Sequence, residues 1–189
     1  MTVDHTQLSG DEIDRIAARI DRPIVLVGLM GVGKSSVGRR LANALHLPFF
    51  DADEEIEKAA KMTISEIFAA HGEADFRDGE RRVIARLMDE QRGVIATGGG
   101  AFVNDQTRAL ILDKGIPVWL DCDIDTLVER TGRKDNRPLL RDGDPREILT
   151  RLKVEREPAY AQAPIRVASA NGPHHRAVHA ILKGIDQWL

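Results

Sequence analysis

Residues 24–36 read IVLVGLMGVGKSS, and this stretch decides the fold class. Residues 24–27 are a short β-branched run suited to a buried strand, and apolar periodicity predicts a helix over about 34–45. Between the two, Gly28-Leu-Met-Gly31-Val-Gly33-Lys34-Ser35 satisfies the phosphate-loop pattern G-x-x-x-x-G-K-[ST]. Its glycines let backbone N–H groups close around phosphate oxygens. Lys34 brings a point charge to the β and γ positions, and Ser35 can ligate Mg²⁺. A glycine-rich turn can match such a pattern by chance; a strand before it and a helix after it are the context that separates the two readings.

Working outward, Ser9 and Glu12 have capping-box spacing and open a predicted helix over 9–20, with Ile13, Ile16, Ala17 and Ile20 on one face. Downstream, residues 47–50 read as a strand ending in the acidic segment 51–55, which suits a helix N-terminus. Thr63 and Glu66 form a second capping box, opening a short helix through Phe68, and helical periodicity resumes over 80–88. Residues 94–96 form a strand running into Gly98-Gly99-Gly100, a turn or a close approach. Asn104 caps a helix to about Leu112, residues 117–120 form a strand, and Asp123 caps a helix that Gly132 can end. Residues 133–143 are polar and contain Pro138, reading as a mobile excursion. Asp144-Pro145 starts another helix, 165–168 is the last strand, and 173–188 the last helix. This βα alternation, with strands buried on both faces, predicts a parallel sheet covered by helices.

The 189 residues suit one domain, with a helical extension at 1–22 preceding a body at 23–189. Hydrophobic residues at 42% and charged residues at 30% are globular values, arguing against disorder or a fibrous architecture. A net charge of -3 with no basic patch gives no reason to expect a nucleic-acid partner. The single cysteine, Cys122, cannot form an internal disulfide, no cysteine–histidine cluster has zinc spacing, and no apolar run reaches membrane-spanning length. The N-terminus also lacks the charged-then-apolar order of a secretion signal, so a soluble cytoplasmic protein is expected. Cys122 reads as a small, buried or half-buried residue, His174 and His175 as surface residues, Trp119 as core, and Trp188 as a dock for the last helix.

Asp51 and Asp53 stand two apart, so in extended backbone both leave one face. One carboxylate suits Mg²⁺ or its water shell and the other can accept a proton from an attacking hydroxyl; equally, either can simply cap the next helix. Arg137, in Arg-Pro-Leu-Leu, can bind charge developing on a transferring phosphoryl group or be an ordinary solvated arginine. Arg77 and Arg156 carry the same two readings, with surface ion pairs as the alternative. Phe50, Phe68 and Phe76 either line a pocket or belong to the core.

In their order and spacing, the loop from Gly28 to Ser35, Phe50-Asp51-Ala-Asp53, Phe76-Arg77, the triplet at 98–100, Arg137-Pro-Leu-Leu140 and Arg156-Glu-Pro-Ala-Tyr160 resemble shikimate kinases over about residues 24–188. The resemblance implies a P-loop, nucleoside monophosphate kinase-like α/β fold: a five-stranded parallel sheet ordered 2-3-1-4-5, with a mobile lid at about 133–143. It implies ATP binding by Gly31, Val32, Gly33, Lys34, Ser35 and Ser36, with Arg130 stacking on adenine opposite the loop at 168–173. In the same way Lys34 and Arg137 would stabilise the transferring phosphoryl group, while Ser35 and Asp51 hold Mg²⁺. Asp53 would orient or deprotonate the acceptor hydroxyl, Arg77 and Arg156 would grip the shikimate carboxylate, and Gly99 and Gly100 would contact substrate through backbone. The expected reaction is transfer from ATP to the 3-hydroxyl of shikimate, by a monomer. For Arg130 a simpler reading is a cation favoured in the last turn of a helix. Kinases for gluconate or a nucleoside monophosphate, and a non-catalytic nucleotide sensor, are the competing readings. A GTPase is disfavoured, because no N-K-x-D segment occurs.

Overall fold

The computed structural model describes residues 7–90, 92–132, 140, 143–169 and 172–189. Five parallel strands, β1 (Ile24–Val27), β2 (Phe49–Asp51), β3 (Val94–Ala96), β4 (Ile116–Asp121) and β5 (Ile165–Ala168), line up in the order β2-β3-β1-β4-β5. In register, Ile24 stands beside both Val94 and Ile116, and Asp51 beside Ala96. Every strand therefore ends on one edge of the sheet, where ligands bind in open α/β folds.

The central strands β1 and β3 are wholly buried, as their unbroken apolar composition predicts. The two edges depart from the expectation of burial on both faces. Strand β2 is half-buried throughout, and β5 alternates, exposing Arg166 and Ala168, because an edge strand has a neighbour on one side only.

The helices are α1 (Gly10–Arg19), α2 (Lys34–Ala44), α3 (Ala52–Ala60), α4 (Ile64–Glu90), α5 (Asp105–Lys114), α6 (Ile124–Gly132), α7 (Pro145–Tyr160) and α8 (His174–Trp188). Their starts follow the capping residues seen in the sequence. Ser9 and Glu12 bond reciprocally, as do Thr63 and Glu66, while Asn104 and Asp144 accept from first-turn N–H groups.

The span labelled α4 is two helical stretches meeting at a kink at Gly72, whose φ of 81° is left-handed, so the two helices expected from the sequence are present but each is longer than expected: the first runs past Phe68 and the second begins before Glu80. Residues 68–75 are all exposed, so no apolar stripe marks them as helix. Below them Ile56, Ile67 and Phe76 form a small second core, separate from the main one.

Helix α1 is built into the body. Ile16 and Ile20 join the main core, the Leu8 N–H donates to Nδ1 of His179 on α8 at 3.1 Å, and Arg19 pairs with Asp186. Trp119 is buried as expected, but Trp188 is 40% exposed, with the Arg22 guanidinium 5.9 Å from its ring centre. No helix among the described residues is long and apolar enough to cross a membrane. Ile16→Ala should lower unfolding free energy by about 2–4 kcal/mol in urea titration, as buried truncations do; an unchanged midpoint would show that α1 lies outside the cooperative core.

Candidate active site

The loop leaving β1 needs glycine at its first position. Gly28 has φ of 138°, and a side chain there would strike the carbonyl of Leu120 on β4. The chain then curls round Lys34, which is only 8% exposed, and Nζ donates to the carbonyls of Gly28 at 2.6 Å and Leu29 at 2.8 Å. Ser35, in the first turn of α2, donates its hydroxyl to Oδ2 of Asp51 at 2.6 Å. The phosphate loop and the end of β2 are thus joined through one hydroxyl and one carboxylate, both hard oxygen donors of the kind Mg²⁺ takes alongside water.

Asp51 caps the next helix, one of the two readings considered for it, and also meets the phosphate loop. Its Oδ1 accepts from the N–H groups of Asp53 at 3.0 Å and Glu54 at 3.4 Å, capping α3, while Oδ2 faces Ser35. The predicted geometry of the aspartate pair needs correction. Asp51 ends the strand and Asp53 already lies in the first turn of α3, so the helix, not strand alternation, sets its direction. Burial, reinforced by Asp51 and Glu57 and opposed by Lys34 and Arg77, holds the Asp53 carboxyl above its ordinary pKa.

The glycine triplet is a close approach on all three residues. A methyl group on Gly98 would stand 3.0 Å from Oδ1 of Asp53 and 3.2 Å from Oε1 of Glu80. On Gly99 it would stand 3.3 Å from Nη1 of Arg156 and 3.4 Å from the Met30 nitrogen, and on Gly100 it would collide with the Arg77 guanidinium. The turn after β3 therefore gathers a carboxylate from α3, a guanidinium and a carboxylate from α4, a guanidinium from α7, and the mouth of the phosphate loop.

Arg77 makes both a surface and a buried ion pair: Nε lies 3.7 Å from Oε1 of the exposed Glu73, and Nη1 lies 2.7 Å from Oε2 of Glu80, which is fully buried. Burial raises the Glu80 pKa against the pull of Arg77, and its Oε1 has no hydrogen-bond partner among the described residues. Arg156 is half-buried and forms no ion pair among the described residues, contrary to a surface salt bridge. Arg130, in the last turn of α6, satisfies the dipole reading and reaches further: Nη1 donates to the Val32 carbonyl at 3.1 Å and approaches Oγ of Ser169 at 3.2 Å. Ser169 itself donates to the Val32 carbonyl at 2.7 Å, tying the end of β5 to the phosphate loop. Arg137 and most of the 133–143 excursion lie outside the described residues.

Three participants were missed in the sequence. Glu80 stands one helical turn from Arg77, a spacing that would have shown the pair had the helix after Gly72 been read as beginning before Arg77. Tyr160 was quoted without a role, and Ser169 carries no local signal. Phe76 belongs to the small second core and Phe68, 37% exposed, rests on it at 4.5 Å between ring centres, while Phe50 packs against the main core. Cys122 is buried with its thiol pKa pushed up by desolvation, an inert setting. His174 is half-buried rather than on the surface.

A phosphate loop between strand and helix, beside a turn that gathers two carboxylates and two guanidiniums, is the arrangement of a P-loop phosphotransferase. The shikimate kinase family model matches residues 30–186. Curated shikimate kinases are similar along the chain: 66% identity covering all of both chains in Novosphingobium aromaticivorans, and 60% over 92% of this chain and 87% of that from Caulobacter vibrioides. Among solved structures, shikimate kinase from Acinetobacter baumannii in complex with shikimate superposes with TM-score 0.80 at 34% identity, covering 95% and 96% of the two chains. A gluconokinase from Sinorhizobium meliloti, TM-score 0.63 at 19% identity and covering 90% and 94%, shares the fold. The chain belongs to the shikimate kinase family, and is an ATP-dependent phosphotransferase.

The raised Asp53 pKa has a sign that can be tested. Between the ordinary carboxylate pKa and the raised one the folded state binds more protons than the unfolded state, so this residue lowers stability as pH rises through that window. Asp53→Asn should therefore melt higher than the parent at neutral pH. The difference should vanish below about pH 4, where the carboxyl is protonated in both states. A lower melting temperature for the variant at pH 7 would contradict the assignment.

Proposed function

We propose that the pocket phosphorylates the 3-hydroxyl of shikimate with residue roles set by the glycine turn at 98–100. The observation that carries the reading is the convergence on that turn of Asp53, Arg77 and Arg156 beside the phosphate loop. Arg77, held flat by Glu80, and Arg156 bind the substrate carboxylate from two elements, as guanidinium forks suit a planar anion. Gly99 and Gly100 offer backbone to the rest of the ring.

Asp53 orients the acceptor hydroxyl and takes its proton as the oxygen attacks the γ-phosphorus. Its elevated pKa makes it a better base than an ordinary surface carboxylate. Lys34 and the backbone of Gly31, Val32 and Gly33 bind the β- and γ-phosphates, with Ser36 beside them. Arg137 is assigned to the transferring group, and Arg130 and the 168–173 loop to the adenine. Ser35 and Asp51 are the residues that would hold Mg²⁺, which neutralises phosphate charge when bound. Their 2.6 Å contact supports that fit.

The free, buried Cys122 is compatible with a reducing cytoplasm. A non-catalytic nucleotide sensor would have no use for Asp53 and two guanidiniums gathered beyond the phosphate loop.

Release of ADP from Mg-ATP should depend on shikimate and not on gluconate or nucleoside monophosphates, and should be lost in Asp53→Asn. Charge-assisted hydrogen bonds contribute about 1.5–3 kcal/mol. Arg77→Ala or Arg156→Ala should therefore raise the KM for shikimate by roughly one to two orders of magnitude, with little change for ATP. Unaltered shikimate KM in both variants would refute the carboxylate assignment.

A further inference from the structure

Tyr160 closes α7 with its ring 2% exposed and 5.9 Å from Trp119 between ring centres. Packing alone would be served by phenylalanine, yet the hydroxyl is used: it donates to the carbonyl of Gly99. Burial raises its pKa, so it keeps the proton it donates, and the Arg156 guanidinium faces the same oxygen and opposes that shift. Arg156 and Tyr160 are four residues apart on one face of α7, and Nη1 of Arg156 lies where Gly99 leaves room for it.

We propose that Tyr160 is a positioning residue of the acceptor pocket: its hydroxyl fastens α7 to the glycine turn, aims Arg156 at the substrate carboxylate and sets the orientation of the Gly99–Gly100 peptide. The proposal rests on the reading of Arg156 as a carboxylate-binding residue.

Two physical arguments support it. A trans peptide is rigid and planar, so holding the Gly99 carbonyl towards Tyr160 turns the Gly100 N–H to the opposite side. With no side chains to restrain them, glycines 98–100 otherwise have the widest backbone freedom of any residues. Secondly, Pro158 lies inside the last turn of α7 and has no N–H to donate to the carbonyl four residues earlier. The helix end that carries Arg156 is therefore short of one ladder bond, and the Tyr160 contact with the turn restrains it instead.

The test compares Tyr160→Phe, Arg156→Ala and the double variant, with steady-state kinetics for both substrates and thermal melting. Tyr160→Phe should raise the KM for shikimate about five- to tenfold, the scale of one hydrogen bond, while the KM for ATP stays near the parental value and the melting temperature falls by only a few degrees. Added to Arg156→Ala, it should cost less than it does alone, because part of its effect acts through Arg156. If Tyr160→Phe leaves the shikimate KM unchanged while Arg156→Ala raises it, the positioning role is overturned and the Arg156 reading stands. If Arg156→Ala has no effect, both fall. Equal changes in both KM values with a marked loss of melting temperature would reduce Tyr160 to a core residue.

Discussion

The site depends on how closely a bare backbone can approach charged side chains. Strand β3 lies between β1 and β2, so the turn leaving it necessarily falls between the phosphate loop on one side and α3 on the other. Adjacent strands are about 4.8 Å apart, which puts the ends of β1 and β2 about 10 Å from each other. Within that interval the turn meets the mouth of the phosphate loop at Gly99 and the Asp53 carboxylate at Gly98. Any Cβ at 98 or 100 would intrude on it, meeting Asp53 and Glu80 at one end and Arg77 at the other. The same strand order that buries the core thus places the phosphate loop and Asp53 on opposite sides of one glycine turn.

Charge is concentrated around that turn in a way that works against stability. Asp53 and Glu80 both have raised pKa values, desolvation being the first cause in each, and Asp53 adds to the shift of Glu80. Arg77 and Lys34 compensate in part. Such an arrangement persists only when surrounding structure over-determines it. Here the rigid support is the sheet, whose β1 and β3 residues are almost completely shielded from water. The two carboxylates differ in consequence: Glu80 is committed to Arg77 through Oε2, whereas Asp53 has no cation bonded directly to it among the described residues and is better able to exchange a proton.

How much of this was legible in the sequence follows from the range of each interaction. Strands β1, β3 and β5 and the caps Ser9, Thr63, Asn104 and Asp144 are local statements, made by residues within a few positions of one another, and could be read directly. The helical turns on either side of the Gly72 kink could not, because an exposed helix has no apolar period. Misreading α4 hid the Arg77–Glu80 pair, and treating Asp53 as a strand residue misplaced the reason for its direction. Contacts between distant segments, Arg130 and Ser169 with Val32 or Tyr160 with Gly99, join residues 39 to 137 positions apart and leave no mark on spacing.

The two guanidiniums are restrained by different chemistry, and that difference matters for an anionic substrate. Glu80 fixes Arg77 through a buried carboxyl contact at 2.7 Å, so the fork is held in place but part of its hydrogen-bonding capacity is already used. Arg156 faces a neutral phenol, which can orient it without reducing its charge. On the proposed assignment, Arg77 contributes mainly geometry to carboxylate recognition and Arg156 mainly electrostatic attraction. A lysine could replace neither function fully, since a point charge on a flexible stem has no plane to hold against a carboxylate. Discrimination against uncharged polyols of similar size then comes largely from the Arg156 side of the pocket, where leaving the cation unpaired on substrate burial would be most costly.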